Sequence, residues 1–356
     1  MNEAGLSERL LEHLRLATGR PTLDYRGPLE QIALGTEARI LRFSLRSAPR
    51  ELRGALVLRL YLPEAGPVYV GVEHAAQNAL AAQGFPAPRV LLSSQDRTVL
   101  GEPFLIMEHV WARPMSHTYA RAARVTARVT RTRPRPDRQE LYMRTLARLH
   151  SLDKAGLARA FAAHGIPSER LTMSIRREIA LEQTARWRLE ELRPLLDWLT
   201  VNRPAPDESC ICHGDPNLGN LMISRGRVAA MIDWGSVHLS HPEADLGAFS
   251  GLELCAIAPT EATRPPAVEQ HLARYERHRP IRRELLRYYE VEYLWSILVN
   301  IADRSRLRAA GQRPPGNQCL DDPMTAPRAK AWLLRLLGSE ADIGSVSTWK
   351  GESNAG

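Results

Sequence analysis

The stretch His213-Gly214-Asp215-Pro216-Asn217-Leu218-Gly219-Asn220, followed one short hairpin later by Ile232-Asp233-Trp234, decides the fold of this 356-residue chain. Apolar runs lie on both sides of the turn residues Arg225-Gly226, which predicts a two-stranded hairpin. Such a hairpin returns Asp233 to the loop that holds Asp215 and Asn220. The pattern therefore predicts that two carboxylates and one amide converge in space.

These residue types suit the transfer of a phosphoryl group from a nucleotide. The transition state of that reaction is loose, so it needs positioning and charge neutralisation more than covalent chemistry. Asp215 fits the carboxylate that faces an acceptor hydroxyl, while Asn220 and Asp233 offer the hard oxygen ligands that Mg²⁺ accepts. We therefore predict a Mg²⁺-dependent kinase that moves the γ-phosphate of ATP (or GTP) to a hydroxyl of a small molecule.

Composition indicates an ordinary globular enzyme with anionic partners. Hydrophobic residues make up 44% of the chain, and its net charge is +8 with a pI of about 9.6. A positive chain attracts anions, and nucleotide phosphates would be sufficient anionic partners without any nucleic acid. The N-terminus has no leader pattern and no apolar run approaches the roughly 20 residues of a membrane span. We expect no membrane and no nucleic-acid partner, and a cytoplasmic location.

The cysteines favour a reducing compartment, since Cys210, Cys212, Cys255 and Cys319 are sparse and irregularly spaced. Cys210, Cys212 and His213 could be imagined as metal ligands. The C-x-C pattern lacks the second half of a zinc site, however, so buried strand thiols are the favoured interpretation.

Periodicity predicts two lobes of different character. Residues 29–62 alternate as strands do, residues 72–83 predict a helix that ends at Gly84, and two further strands follow. Beyond Val110 the period becomes helical. We predict an α+β, bilobal fold, with a nucleotide-binding lobe at 1–110, a catalytic and acceptor-binding lobe at 111–337 and a disordered tail at 338–356.

Arginines crowd residues 113–138, among small residues and prolines. A nucleic-acid patch would need interleaved aromatic residues, and this segment holds only Tyr119. A solvated insertion is the favoured interpretation, with a role in gripping an anionic substrate as the alternative.

The motif with His213, Asp215, Asn220 and Asp233 resembles that of the aminoglycoside phosphotransferase and choline kinase superfamily of protein-kinase-like enzymes. Landmarks at 73–90, 146–152 and 241–246 resemble those of the family in the same order. The resemblance runs from about residue 29 to 307, and it implies that the α+β, bilobal fold is protein-kinase-like.

That resemblance implies roles for the catalytic residues. Asp215 would be the catalytic base, Asn220 and Asp233 would hold magnesium, and His213 would shape the catalytic loop. Asp245 would brace that loop from a following helix, although a carboxylate that favours the helix dipole is an equal interpretation.

In the first lobe, the resemblance implies a glycine hairpin at Gly35 and a strand cation at Arg59 paired with Glu73. The family's usual strand cation is lysine, but the first lysine of this chain is Lys154. An arginine at this strand position is similar to one branch of the family, the phosphotransferase-like domains fused to acyl-CoA dehydrogenases. The nucleotide base would lie against the connector residues Met107, Glu108 and Val110.

The acceptor is predicted to be neutral or anionic, such as a hydroxyacyl thioester, a macrolide-like compound or a sugar, because a basic chain disfavours polycationic aminoglycosides. Charged and aromatic residues of one C-terminal segment either line its site or pack in the core: Tyr288, Tyr289, Glu290, Glu292, Tyr293, Trp295 and Asp303. The alternative function is a pseudokinase that binds a nucleotide or a partner protein without turnover, which Arg59 and the poor glycine hairpin keep open.

Overall fold

The structure is a computed structural model that describes residues 3–34, 38–62, 68–116, 137–205, 209–259, 264–314 and 316–338. Three predicted features fall on residues outside these ranges. They are the glycine hairpin at Gly35, most of the arginine-rich segment 113–138, and the tail after residue 338.

Strands and helices alternate first and helices then dominate. The strands are β1 (Asp24–Tyr25), β2 (Glu30–Leu34), β3 (Ala38–Arg46), β4 (Ala55–Tyr61), β5 (Val90–Ser94), β6 (Phe104–Glu108), β7 (Arg113–Pro114), β8 (Cys210–Cys212), β9 (Leu221–Ser224), β10 (Arg227–Met231) and β11 (His238–Ser240). The helices are α1 (Glu3–Thr18), α2 (Val68–Ala82), α3 (Arg97–Leu100), α4 (Arg138–Leu149), α5 (Lys154–Ala163), α6 (Ile175–Trp187), α7 (Arg193–Val201), α8 (Pro242–Ala256), α9 (Pro266–Glu276), α10 (Arg283–Ala309), α11 (Gln318–Asp321) and α12 (Thr325–Leu337).

The chain divides into two compact units. The first unit holds the described residues of 1–130, 153–168 and 218–235, and the second unit holds those of 131–152, 169–217 and 236–356. The chain therefore passes between the units several times. The lobe boundary near residue 110 stays a prediction.

An antiparallel sheet forms the centre of the first unit, in the order β1-β3-β4-β6-β5, with β2 also paired to β3. Strand β4 lies in the middle and is buried along almost its whole length, which explains why all its residues except Arg59 are apolar or aromatic. Leu58 pairs with Leu41 on one side and Ile106 on the other. Since side chains alternate along a strand, Arg59 points to the opposite face from Leu58.

Helix α2 packs on that sheet and ends where the sequence predicts. Gly84 follows the helix at φ +74° and its N–H donates to the Ala81 carbonyl, while the Phe85 N–H donates to the Leu80 carbonyl. Glycine adopts this left-handed conformation without a steric penalty. The helix predicted over 72–83 is thereby confirmed, with an N-terminus four residues earlier.

The predicted hairpin is also present, as β9 and β10, and β7 extends it to three strands. Arg225 and Gly226 both adopt positive φ, at 49° and 77°, as a type I′ turn requires. The Ile232 N–H donates to the Asn220 carbonyl at 2.9 Å, which closes the base of the hairpin. The residue before Asp233 is thus tied to Asn220.

Helices build the second unit. Helices α8 and α10 approach each other closely: a Cβ on Gly247 would lie 2.5 Å from the Tyr289 Cβ, and one on Gly251 would lie 2.5 Å from the Tyr293 Cδ1. Trp295 of α10 and Trp332 of α12 are fully buried in the core of this unit. The predicted α+β, bilobal protein-kinase-like fold class is confirmed. Of the described helices, none is long and apolar enough to cross a bilayer.

Candidate active site

The predicted site residues divide between the two units. Arg59, Glu73, Asn220 and Asp233 belong to the first unit, together with the connector residues 107–110. His213 and Asp215 belong to the second unit.

In the first unit, Arg59 joins two acids that lie far from it in sequence. Its Nη1 lies 3.2 Å from the Glu73 Oε1, and its Nη2 donates to the Asp233 Oδ1 at 2.9 Å. Burial alone would lower the pKa of Arg59, but the negative charges of Glu73 and Asp233 raise that pKa above its ordinary value. The structure therefore brings together three of the residues that the sequence selects, and we call them the Arg59 triad.

Asp233 has an unusual backbone conformation, with φ at +71°. Few residues other than glycine adopt this region, and aspartate and asparagine tolerate it best. The next residue anchors the turn, because the Trp234 side chain is fully buried and its Nε1 donates to the Met231 carbonyl at 2.9 Å. The Trp234 ring also packs edge-on against Phe85. Local strain is thus held in place by a buried neighbour.

The oxygen atoms of Asn220 and Asp233 fit a magnesium ion by chemistry. Asn220 is buried, whereas the Asp233 side chain keeps 41% of its surface exposed. Arg59 occupies the Asp233 Oδ1, and the Oδ2 of Asp233 has no partner among the described residues. A metal could therefore reach one carboxylate oxygen directly, and the second only in place of Arg59.

The connector residues have distinct surroundings. Met107 packs partly buried against the cluster formed by Tyr61, Val70, Val90 and Leu105. The Glu108 Oε1 accepts hydrogen bonds from Arg89 at 2.6 and 3.0 Å, so the Glu108 carboxylate serves a surface ion pair.

The backbone of the connector is partly engaged. The Glu108 N–H donates to the Arg89 carbonyl, and the Val110 carbonyl accepts from the Ala112 N–H. Within the described ranges the Val110 N–H has no acceptor. One main-chain donor of this segment is thus open to a ligand.

In the second unit, Asp245 holds the backbone of the predicted catalytic loop. Its Oδ2 accepts from the His213 N–H at 2.7 Å, and its Oδ1 accepts from the Gly214 N–H at 2.9 Å. The predicted bracing role of Asp245 is therefore confirmed. Since its side chain is 1% exposed, these contacts replace water entirely.

His150 completes this brace. Its Nε2 lies 3.0 Å from the Asp245 Oδ2, and its Nδ1 lies 2.7 Å from the Tyr275 hydroxyl. Burial alone would raise the pKa of Asp245, but the hydrogen bond and positive charge of His150 outweigh it and hold that pKa below 3.8. Asp245 is thus a buried carboxylate that stays charged.

Gly214 lies between two functional residues and has no room for a side chain. Its φ is +83°, and a Cβ there would lie 2.1 Å from the Ser236 carbonyl oxygen. Only glycine meets both conditions. The backbone of this loop therefore requires a glycine between His213 and Asp215.

His213 and Asp215 lie on opposite sides of this glycine. The His213 side chain is fully buried, and its Nδ1 accepts from the Asp215 N–H at 3.2 Å. The Asp215 Oδ2 accepts from the Asn217 Nδ2 at 2.8 Å, and its Oδ1 lies 3.7 Å from the Arg176 Nη2. The loop thus presents a partly exposed carboxylate on a fixed backbone.

The two thiols of β8 lie beside this brace. Cys210, Cys212 and His150 place their sulfur and nitrogen atoms within 4.8 Å of one another, so the histidine near the thiols is His150 and not His213. Both His150 nitrogens already have hydrogen-bond partners, however. The interpretation as buried strand thiols is favoured, and both cysteines are free.

A cavity of about 310 Å³ opens in the second unit beside Gly214. Four residues from α10 line it: Tyr288, Tyr289, Glu292 and Tyr293. The other three candidates from that helix lie outside this lining, since Trp295 is fully buried, Glu290 pairs with Arg264, and Asp303 accepts from the Trp187 Nε1. Of the two interpretations of this C-terminal segment, lining of a site holds for the first four residues, and packing or pairing inside the unit holds for the other three.

Two residues that the sequence reasoning gave no role belong to this region. His150 lies within the landmark at 146–152, directly after the last residue of α4, so its place after a helix was a usable signal. Arg176 gave no signal, because it is one arginine among many.

Comparison with known proteins places this fold in a family. Residues 29–285 match the model of the phosphotransferase enzyme family. Among curated relatives, acyl-CoA dehydrogenase family member 11 of Gallus gallus is 29% identical over 243 residues, which cover 60% of this chain and 30% of that protein. The chain therefore spans less than a third of the length of that relative.

Solved structures show the same fold at lower identity. A protein from Ralstonia eutropha JMP134 superposes with a TM-score of 0.60 at 23% identity, covering 94% of this chain and 98% of that one. A thermostable mutant of aminoglycoside phosphotransferase APH(4)-Ia, in a ternary complex with AMP-PNP and hygromycin B, gives 0.53 at 16% identity, covering 93% and 99%. With the family match over most of its length, the chain belongs to the phosphotransferase enzyme family.

Proposed function

We propose that this protein is a Mg²⁺-dependent kinase that transfers the γ-phosphate of ATP (or GTP) to a hydroxyl of a small molecule. In the transfer, the bond from the γ-phosphorus to the nucleoside diphosphate oxygen breaks and a bond from that phosphorus to the acceptor oxygen forms. Asp215 takes the proton that the hydroxyl loses. The nucleoside diphosphate leaves with the electron pair of the broken bond.

The observation that carries this proposal is the Arg59 triad. Residues 59, 73 and 233 are remote in sequence and were selected as a phosphate-binding cation, its acidic partner and a metal ligand. They meet at 3.2 and 2.9 Å. An arginine fork fits phosphate oxygens through two parallel hydrogen bonds, so Arg59 supports nucleotide binding in place of lysine.

Each remaining residue has a stated task in this proposal. Asn220 and Asp233 hold the metal, which when bound neutralises charge on the phosphates. His213 fixes the loop backbone through its Nδ1, and Asp215 orients the acceptor hydroxyl. Val110 offers its main-chain N–H to the nucleotide base, beside Met107 and Glu108. We assign no role to Gly35 beyond the prediction that its hairpin covers the phosphates.

Thermal unfolding with and without ligands tests this function before any acceptor is known. Wild type and Asp233→Asn are compared with ATP or GTP, each with and without Mg²⁺. A nucleotide at about 100 times its Kd adds roughly 2.7 kcal/mol and raises Tm by a few degrees. We expect a Mg²⁺-dependent rise in the wild type that Asp233→Asn loses.

The matched control is Asp197→Asn, an exposed aspartate of α7 whose one ion-pair partner in the described part of the chain is Arg193. It should keep the full Mg²⁺-dependent rise. Absence of any rise with either nucleotide in the wild type would contradict the kinase proposal.

A specific observation also supports the second candidate, a pseudokinase that binds nucleotide or a partner protein without turnover. Arg59 already occupies the Asp233 Oδ1, an oxygen that a metal would use. In a pseudokinase this contact persists, so nucleotide would raise Tm equally with and without Mg²⁺. An acceptor-dependent loss of ATP would exclude this alternative.

We also propose that the acceptor is neutral or anionic and that the protein acts in the cytoplasm on a small molecule. The net charge of +8 supports the proposed acceptor class, since it repels a polycation such as an aminoglycoside.

A further inference from the structure

The cavity beside Gly214 carries three arginines in its lining, Arg176, Arg177 and Arg203. Gly214 precedes Asp215 directly, so this cavity adjoins the proposed catalytic base. Its volume of about 310 Å³ lies at the small end of ligand sites. The charges of the lining residues therefore determine which small acceptors can enter.

Arg177 is already neutralised. Its Nη1 donates to the Glu292 Oε1 at 2.5 Å and to the Tyr288 hydroxyl at 3.1 Å. Both side chains of this ion pair are largely buried. Arg177 and Glu292 thus form part of the cavity wall and cancel each other's charge.

Arg176 is different, because most of its donors have no partner among the described residues. One guanidinium N–H donates to the Gly214 carbonyl at 3.1 Å, and the Tyr293 ring covers one face of the group at 4.6 Å. The Asp215 Oδ1 lies 3.7 Å away, beyond hydrogen-bond length. Arginine has five N–H donors, so in the described structure four remain for a ligand.

The rest of the lining leaves the balance positive. Arg203 is exposed and makes no ion pair with any described residue. Glu178 is the remaining carboxylate of the lining, and it too is exposed to water. Burial lowers the pKa of His238, so that imidazole adds no charge. The partly buried cation near the catalytic loop is therefore Arg176.

We propose that this cavity binds an alcohol that carries an oxyanion, a carboxylate or a phosphate, and that Arg176 holds the oxyanion while the hydroxyl faces Asp215. This inference rests on the proposed function, whose acceptor class it specifies. Two hydrogen bonds of about 2.8 Å added to the 3.7 Å gap place the oxyanion within about 9 Å of the hydroxyl. The acceptor is thus a short hydroxy acid or a phosphorylated polyol.

Binding without nucleotide tests this inference independently of catalysis. Isothermal titration uses straight-chain hydroxycarboxylates with two to five carbons between the two groups, each compared with its neutral primary amide, and glycerol 3-phosphate compared with glycerol. We expect at least one anion to bind at least tenfold more tightly than its neutral counterpart. The carboxylate and phosphate arms distinguish the two sources of the oxyanion.

Variants show whether Arg176 makes the contact. Arg176→Gln should weaken binding of that anion at least tenfold, and Arg176→Lys should restore part of it because the charge remains. Arg193→Gln, a loss of charge at an exposed arginine of α7, should bind as the wild type does. The Tm of each variant confirms that it is folded.

Two results would overturn the inference: equal binding of anions and neutral counterparts, including no binding of either, or unchanged binding in Arg176→Gln. Failure of the proposed function looks different. In that case the anion binds through Arg176, but Mg²⁺ and ATP yield no phosphorylated product. Phosphorylation of a neutral alcohol alone would keep the kinase and overturn the acceptor class.

Discussion

The Arg59 triad of the first unit and the catalytic loop of the second unit are stabilised in contrasting ways. In the triad, side chains bind side chains, and Asp233 keeps 41% of its surface exposed. In the loop, a fully buried Asp245 binds backbone N–H groups, and Gly214 leaves no space for a Cβ. The contact of Arg59 with the partly exposed Asp233 can exchange for a ligand, whereas buried backbone contacts cannot. The triad is therefore suited to respond to nucleotide and the loop to stay fixed.

The largest expected effect is that of Gly214→Ala, which tests how rigid the loop is. The added Cβ meets the Ser236 carbonyl oxygen at 2.1 Å and also forces alanine to a φ of +83°. Strain and overpacking together should cost about 4 kcal/mol in the free energy of unfolding, measured with denaturant.

Its control is Gly311→Ala, at φ +78° with no heavy atom within 4 Å of the added Cβ. That change should lower the free energy of unfolding by only about 1–2 kcal/mol, because the positive φ is strained but no close contact is added. Equal losses at the two glycines would contradict the argument from the close contact.

Asp245→Asn should have the next largest effect. It leaves His150 without its charged partner and removes one acceptor from the loop backbone, at a cost of about 3 kcal/mol. Thermal or denaturant unfolding at pH 5 measures this loss.

The same pair predicts a pH dependence. The pKa of Asp245 is lowered from 3.8, so its contribution exists above that pH and disappears as the pH falls through the folded-state pKa. The pKa of His150 is raised from 6.5 despite burial, because nearby negative charge, including Asp245, favours its cation, and this contribution disappears as the pH rises through its folded-state pKa. The stability difference between wild type and Asp245→Asn should peak between about pH 4 and 6.5. A difference that stays constant down to pH 3 would exclude the charged pair.

Arg59→Lys tests the triad at a smaller scale. A lysine ammonium cannot reach both Glu73 and Asp233 with a rigid fork, so one of the two contacts should weaken. We expect a loss of about 1–2 kcal/mol, together with weaker nucleotide binding measured by titration. Arg39→Lys, an arginine of β3 in the same sheet, provides the comparison and should change neither quantity appreciably. Unchanged stability in Arg59→Lys would show that one contact suffices.

The smallest expected effect separates conformation from charge at Asp233. Asp233→Ala should lose about 1 kcal/mol more than Asp233→Asn, because alanine tolerates a φ of +71° less well. Both variants should lose the Mg²⁺-dependent rise in Tm. Equal stability of the two would show that the turn relaxes without cost.

Local sequence predicted those parts of the site that depend on neighbouring residues. The Arg225-Gly226 turn and its flanking apolar runs predicted the hairpin that ties residue 232 to Asn220, and the structure confirms it. Resemblance to the family predicted the pairing of Arg59 with Glu73, which is also present. Asp245 was left between two roles, because a carboxylate in the first turn of a helix suits the helix dipole equally well.

By itself, the sequence determined the fold class, the hairpin and the H-G-D loop, because periodicity, turn chemistry and motif spacing act over short distances along the chain. Its resemblance to the family, not its local pattern, pointed to Arg59 and Glu73. Only the tertiary structure decided that His150 binds Asp245, that Gly214 faces Ser236, and that Arg176 keeps open donors beside Asp215. These contacts join residues 22 to 95 positions apart. Which of many arginines lies beside Asp215 with donors open to a ligand depends on what surrounds it in space, and no local pattern records that.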